Sequence, residues 1–298
     1  MIIGVPKEIK LQEHRIGLTP DSVQVLTKKN HKVLVQSNGG FEAGFTNEDY
    51  KNAGAQIIDN AEEIFKKSEL IVKVKEPQMS EVKMIRENQI IYTYLHLAAA
   101  KELTEGLIKS KSICIAYETV TDDNGRLPLL APMSAVAGRM SIQAGAHSLE
   151  KNQKGRGLLL GGAPGVEPAN VVILGGGVVG ENAAIIATGM KSKVYVVDKS
   201  KDRLKQLHEL FGDKIIAAES DKIDLKKLVS ECDLLIGGVL IPGAEAPKLV
   251  SKEMIKSMKR GSVVVDVAID QGGCIETSKP TTHADPTYTV DDVVHYCV

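Results

Sequence analysis

Apolar and polar positions alternate in short blocks along the first half of the chain, and the blocks predict strands and helices in turn. The predicted strands are 2–5, 33–35, 56–58, 70–75, 90–95 and 113–120, and the predicted helices begin at Thr19 and Thr46 or cover 61–67, 81–87 and 101–109. Strands that alternate with helices at this spacing are typical of βαβ units, so a parallel sheet is expected.

The second half repeats this pattern with more continuous apolar strands. Residues 121–128 are rich in turn formers and mark the predicted boundary, so the expected domains are 1–128 and 129–298. After a long helix over 132–151, the predicted strands are 171–174, 194–197, 215–218, 234–239 and 262–267, the helices are 180–190, 201–211, 225–229 and 252–258, and residues 288–298 are extended. We therefore predict an α/β protein of two Rossmann-like domains with mainly parallel sheets, the second of which binds a dinucleotide.

Charge and cysteine usage narrow the classes of partner. The 37 basic and 38 acidic residues give a net charge of −1, so no long-range field favours nucleic acid or an anionic membrane. The four cysteines are scattered, which predicts neither a disulfide framework nor a metal site. Since the sequence has neither a secretion signal nor a run of about 18 apolar residues, we expect a cytoplasmic protein without a membrane span.

Residues 171–180 form an apolar run that breaks into glycines at Gly175, Gly177 and Gly180. In a strand–turn–helix unit the first glycine permits the turn, the second lets the backbone approach a pyrophosphate, and the third lets helix and strand pack closely. The next strand ends in Asp198, where a carboxylate would take the ribose hydroxyls of NAD. The alternative is a glycine-rich turn in an α/β domain without a ligand.

Polar residues at strand ends supply candidate chemistry, because ligands of open α/β sheets bind beyond the carboxyl ends of the strands. Lys75, His96 and Asp270 follow predicted strands, and Arg15 follows the first one. Hydride transfer to a nicotinamide needs a proton acceptor and groups that hold the substrate. His96 suits proton transfer, Arg15 and Lys75 suit an anionic substrate, and Asp270 suits orientation of water. Taken singly, each of these four residues also has a purely structural explanation, as a solvated side chain, a hydrogen-bonded side chain or part of a turn.

Six segments, 13–20, 72–77, 92–98, 132–138, 171–180 and 265–273, closely resemble the bacterial alanine dehydrogenase family, and the likeness extends over essentially the whole chain. The related transhydrogenase alpha subunits share the early arginine and the Lys-Glu-Pro sequence. They lack the histidine that this sequence has at His96, so the resemblance favours alanine dehydrogenase.

The resemblance implies reversible oxidation of L-alanine by NAD to pyruvate, ammonium and NADH. It implies that Arg15 and Lys75 hold the substrate, that His96 and Asp270 are the acid/base pair, that residues 1–128 are the substrate domain and that residues 129–298 bind NAD. It also implies a homo-oligomer, a hexamer. The cofactor residues that it implies are Ser134, Gly175, Gly177, Val178, Val179, Gly180, Asp198, Arg203, Ser220, Val239, Leu240, Val267, Ala268, Ile269, Asp270 and Val298.

The sequence departs from the family pattern after the His-Tyr-Cys-Val motif at 295–298. Family members continue with a loop and with helices that return to the substrate domain, so the first domain is expected to be incomplete, with reduced stability or altered assembly. Two alternative functions follow: the soluble NAD(H)-binding part of a transhydrogenase, and a truncated NAD-binding protein without turnover. Alanine-dependent formation of NADH distinguishes both from the dehydrogenase.

Overall fold

The computed structural model describes residues 1–239, 241 and 244–298. The chain divides into two compact units, Met1–Leu129 and Leu130–Val298. Each unit is built on a sheet of its own.

Within the described residues of the first unit, six parallel strands form one sheet in the order β3-β2-β1-β4-β5-β6. The strands are β1 (Ile2–Val5), β2 (Lys32–Gln36), β3 (Gln56–Ile58), β4 (Leu70–Val72), β5 (Ile90–Thr93) and β6 (Ile113–Ala116). The helices are α1 (Pro20–Lys28), α2 (Asn47–Asn52), α3 (Ala61–Lys67), α4 (Met79–Val82) and α5 (Lys101–Ser110). The strand order reverses between β1 and β4, and this switch point is where open α/β sheets bind ligands.

Two apolar layers cover this sheet. Val33 and Val35 belong to one buried cluster and Leu34 to another, so the clusters lie on opposite faces of β2.

Side-chain caps fix the starts of the helices: Thr19 accepts a hydrogen bond from the Ser22 N–H, and Thr46 forms a capping box with Asp49. The predicted helix starts at Thr19 and Thr46 are therefore confirmed.

In the described part of the second unit, seven strands form a sheet in the order β12-β13-β11-β10-β7-β8-β9. The strands are β7 (Asn170–Leu174), β8 (Lys193–Asp198), β9 (Ile215–Glu219), β10 (Leu234–Gly237), β11 (Val263–Asp266), β12 (Thr287–Val290) and β13 (Val293–Tyr296). The helices are α6 (Ala131–Ser148), α7 (Val178–Gly189), α8 (Lys201–Phe211), α9 (Leu225–Glu231) and α10 (Lys252–Lys256). Only the β12–β13 pair is antiparallel among these strands. The predicted α/β class with mainly parallel sheets is confirmed.

Several predicted elements differ in extent from the observed ones, and the reasons are clear for three of them. The extended segment 288–298 is instead part of a hairpin, because Asp291 and Asp292 both take positive φ, +47° and +62°, and turn the chain between β12 and β13. The predicted helix 81–87 is replaced by the short α4, which starts earlier because Gln78 and Glu81 form a capping box. The predicted strand 113–120 ends at Ala116, where a turn of 3-10 helix begins.

The described residues include no helix with the length and apolarity needed to cross a membrane. Among them, no group of three or more His, Cys, Asp or Glu side chains is arranged to hold a metal ion. The cysteines Cys114, Cys232, Cys274 and Cys297 are thiols.

Candidate active site

Parallel strand pairing brings the loops of Lys75 and His96 together in the first unit. Val72 of β4 pairs with Tyr92 of β5, and both strands end within one residue of this pair. The Thr93 hydroxyl donates a hydrogen bond of 2.9 Å to the Lys75 carbonyl, which ties the two loops directly. Lys75 and His96 are both half-buried, so each side chain retains access to solvent.

Arg15 lies in the loop after β1 and is held by Glu13. Its Nε and Nη2 donate to the two carboxylate oxygens of Glu13 at 2.8 and 2.6 Å. Burial raises the pKa of the Glu13 carboxyl, but the hydrogen bonds and charge of Arg15, together with the charge of Lys75, leave this pKa below its ordinary value. The charges of Arg15 and Lys75 thus both favour the ionised form of the Glu13 carboxyl.

Tyr94 is a member of this site that the sequence reasoning missed. Its ring stacks on the His96 imidazole, with centroids 5.9 Å apart and planes 16° apart, and its hydroxyl donates to the Leu129 carbonyl at 2.6 Å. Burial raises the pKa of Tyr94, while the charge of Arg15 lowers it. The two-residue spacing of Tyr94 and His96 is the signal that could have found this contact.

A buried ion cluster lies behind the Lys75 loop. The Lys73 ammonium donates to Glu8 at 2.9 Å and to Glu81 at 2.8 Å, and these three side chains are almost completely buried. The second oxygen of Glu8 accepts the backbone N–H groups of Val74 at 2.6 Å and Lys75 at 3.4 Å. Glu8 therefore fixes the backbone from which the Lys75 side chain extends.

In the second unit, β7, a glycine turn and α7 form the predicted strand–turn–helix. Gly175 has φ +94°, and a Cβ added at Gly180 would lie 1.9 Å from the Gly175 carbonyl oxygen. A Cβ added at Gly177 would meet nothing within 4 Å, so the space before the first turn of α7 is open. The N–H groups of Val178, Val179 and Gly180 lie in this first turn of α7. Backbone N–H groups in the first turn of a helix have no carbonyl partners within the helix. This geometry fits the pyrophosphate of a dinucleotide.

Asp198 and Arg203 lie beside the glycine turn. Asp198 accepts the N–H groups of Gly176 at 2.6 Å and Ser200 at 2.8 Å. Arg203 donates from Nε to the Gly176 carbonyl at 2.6 Å, and its Nη2 is paired with Glu181. The structure thus brings the predicted acid and cation together, whereas Glu181 is a partner that sequence reasoning missed.

The other predicted cofactor residues lie in separate parts of the second unit. Ser220 follows β9 and donates its N–H to the Asp198 carbonyl at 3.0 Å, and Val239 follows β10. Ser134 is in the first turns of α6, and Val298 follows β13. Leu240 lies outside the described residues.

Asp270 belongs to a 3-10 helix, Val267–Gln271, that follows β11. Ala268 and Ile269 point into the core, so they can offer a ligand only backbone groups, whereas Asp270 is exposed. The buried Asp266 accepts the N–H groups of Ala268 at 3.2 Å and Ile275 at 3.2 Å. It thereby fixes both ends of the loop that presents Asp270.

The family is decided by comparison with known proteins. The model of the alanine dehydrogenase/PNT N-terminal domain matches residues 4–137, and that of the C-terminal domain matches residues 141–298. The chain belongs to the alanine dehydrogenase/PNT family. Each of the two family domains thus accounts for most of one half of the chain.

Relatives within the alanine dehydrogenase/PNT family are similar over the whole chain. Alanine dehydrogenases of Halomonas elongata and Methanococcus maripaludis are 55% and 54% identical to all of it, and it covers 80% of each of them. A solved structure of an L-alanine dehydrogenase is 51% identical, with a TM-score of 0.91, and the chain covers 82% of it. A transhydrogenase from Sinorhizobium meliloti, 24% identical with a TM-score of 0.81 and 86% covered, shares the fold.

Proposed function

We propose that the protein is an alanine dehydrogenase, which oxidises L-alanine reversibly to pyruvate and ammonium with NAD. The observation that carries the proposal is that Arg15, Lys75 and His96 follow the neighbouring strands β1, β4 and β5 at one edge of the first sheet, in a chain 55% and 54% identical to two alanine dehydrogenases. A fold alone would not distinguish this activity from others.

The first unit is proposed to bind the amino acid. The Arg15 guanidinium, already oriented by Glu13, is suited to the substrate carboxylate, and the Lys75 ammonium is suited to the carboxylate or the product carbonyl. The Tyr94 ring supports the imidazole from one face. These are the binding roles that the family resemblance implies for Arg15 and Lys75.

The second unit is proposed to bind NAD. The turn of Gly175, Gly177 and Gly180 would take the pyrophosphate, and Asp198 would take the adenosine ribose. When bound, NAD accepts the hydride that leaves the Cα atom of alanine.

Proton transfers are assigned to His96 and Asp270. Loss of hydride from the Cα atom of the neutral, deprotonated amine leaves an iminium, to which a water molecule adds. We assign removal of the water proton to the His96 imidazole, because an imidazole ring has one nitrogen that can accept a proton and another that can donate one. Collapse of the carbinolamine then releases ammonium and pyruvate, and Asp270, exposed within the 3-10 helix after β11, is proposed to assist these proton movements.

The test is alanine-dependent NADH formation by the purified protein and by two histidine variants. His96→Ala should lose at least about 100-fold in kcat, as expected for loss of a general base, while its Kd for NADH stays within about twofold. His31→Ala, at the opposite end of the same sheet, should keep kcat. A large loss of NADH affinity in His96→Ala, or no turnover by the parent protein, would contradict the assignment.

We also propose, from the same resemblance, that the protein is a cytoplasmic homo-oligomer, a hexamer. Native mass measurement tests the assembly directly.

A further inference from the structure

The backbone that carries His96 has an uncommon conformation. His96 has φ +49° and ψ 41°, in the left-handed region that non-glycine residues rarely adopt. Such a conformation costs free energy and persists only when neighbouring groups fix it. The direction of the imidazole depends on these two angles, so whatever fixes them also fixes the candidate acid/base.

Glu118 is the group that contacts this backbone. It lies in the turn Tyr117–Thr119 after β6, and pairing of Thr93 with Ala116 places this turn beside the end of β5. Its Oε1 accepts the His96 N–H at 2.7 Å, and both of its oxygens accept the Leu95 N–H, at 3.1 and 3.2 Å. The Glu118 side chain is only 8% exposed, so water cannot readily replace these bonds.

We propose that Glu118 is a positioning residue for the reaction, which acts by holding the His96 backbone in its left-handed conformation. The inference rests on the proposed function. It adds a residue that neither the glycine motif nor the strand-end residues indicated. Glu118 contacts the backbone of the acid/base, and its effect on the substrate passes through the His96 imidazole.

The first test is Glu118→Gln, which keeps the size of the side chain but replaces one accepting oxygen with an amide that faces the Leu95 N–H. We expect kcat for alanine oxidation to fall about 10- to 100-fold, because small displacements of a catalytic group have effects of this size. The KM for alanine should change by less than about threefold, because Arg15 and Lys75 hold the substrate. The Kd for NADH should stay unchanged.

Gln89→Leu is the matched control. Gln89 is also buried and also holds backbone groups, donating to the carbonyls of Phe65 at 2.7 Å and Ser68 at 2.8 Å. It lies just before the start of β5, whereas Glu118 binds the backbone just beyond the end of β5. It should lose thermal stability yet keep kcat. Wild-type kcat in Glu118→Gln, or an equal loss of kcat in both variants, would overturn the proposal.

A measurement on the unaltered protein completes the test and does not depend on whether a variant folds. The N–H groups of Leu95 and His96 should exchange slowly with deuterium, at rates like those of β5, although they lie beyond the strand. Rapid exchange of both would overturn the proposal. Absence of alanine oxidation in the parent protein would instead overturn the proposed function, while the exchange rates would still report on Glu118.

Discussion

At the scale of the residue, carboxylates that accept backbone N–H groups organise the candidate site. Glu8 binds the backbone of Lys75, Glu118 that of His96, and Asp198 that of the glycine turn. A carboxylate accepts such bonds strongly, and burial protects them from water. Two of the side chains proposed to act on the substrate, Lys75 and His96, are thus positioned by hydrogen bonds to their own backbones.

Asp198 and Glu181 together are expected to set the choice between NADH and NADPH. Asp198→Ala should weaken NADH binding about 10- to 100-fold, the effect of losing a charged hydrogen-bond acceptor. The affinity of Asp198→Ala for NADPH should not rise, because Arg203 is paired with Glu181 and donates to the Gly176 carbonyl. Adding Glu181→Gln should release Arg203 for the extra phosphate and improve NADPH binding at least about tenfold over the single variant.

Titration of the two cofactors by fluorescence measures these affinities. The control is Asp198→Ala with Glu209→Gln, which removes the same charge from an exposed site on α8 and should leave NADPH affinity at the single-variant value. Equal NADPH affinity of the two double variants would show that Glu181 does not restrict NADPH binding.

The sequence could indicate strand-end residues but not the groups that hold them. His96 and Lys75 follow apolar runs, and this local pattern suffices to select them. Glu118 and Glu8 act on backbone groups 22 and 67 positions away, and such contacts are set by strand order rather than by spacing. A single glutamate carries no signal for this role, whether it lies in a polar segment, as Glu8 does, or within a predicted strand, as Glu118 does.

At the scale of the element, the β7–α7 unit shows why its glycines are needed. Gly180→Ala should cost at least about 1–3 kcal/mol in the free energy of unfolding and weaken NADH binding, because the new Cβ would lie 1.9 Å from a backbone oxygen that cannot move freely. Gly189→Ala, at the other end of α7, would meet nothing within 4 Å and should stabilise the protein by up to about 1 kcal/mol. Denaturant unfolding of both variants tests this; equal effects would show that close packing at Gly180 does not matter.

Element types were easier to predict than element ends. Helices 61–67 and 201–211 have the predicted bounds, because Asn60 and Ser200 cap them locally. The C-terminal hairpin was predicted wrongly as one extended segment. Two consecutive aspartates are weaker turn signals than an Asn-Gly pair, although both can take positive φ.

At the scale of the whole molecule, both units place their parallel strands in the same sequential order around a switch point. Alternating strands and helices were enough to predict this class. The buried cluster of Lys73, Glu8 and Glu81 was not predictable, because a lysine within a strand usually faces solvent. The single Lys73 ammonium serves both carboxylates in the core of the first unit, so loss of Lys73 would leave two buried carboxyl groups without their cation.

Glu81 gives the first unit a specific dependence of stability on pH. Burial raises the pKa of this carboxyl, although Lys73 opposes the shift, so the folded unit binds the proton more tightly than the unfolded chain does. The stabilisation linked to this proton is fully present below the ordinary glutamate pKa of about 4.3 and is lost as pH rises through the higher folded value. Glu81→Gln removes this proton-binding group. Between pH 4.5 and 7.5, the parent protein should therefore lose more stability than Glu81→Gln. Amide exchange of the buried Ile71 and Ile91 measures this loss. The control Glu62→Gln, at an exposed position on α3, should follow the parent. Parallel pH profiles for the parent and Glu81→Gln would contradict the raised pKa.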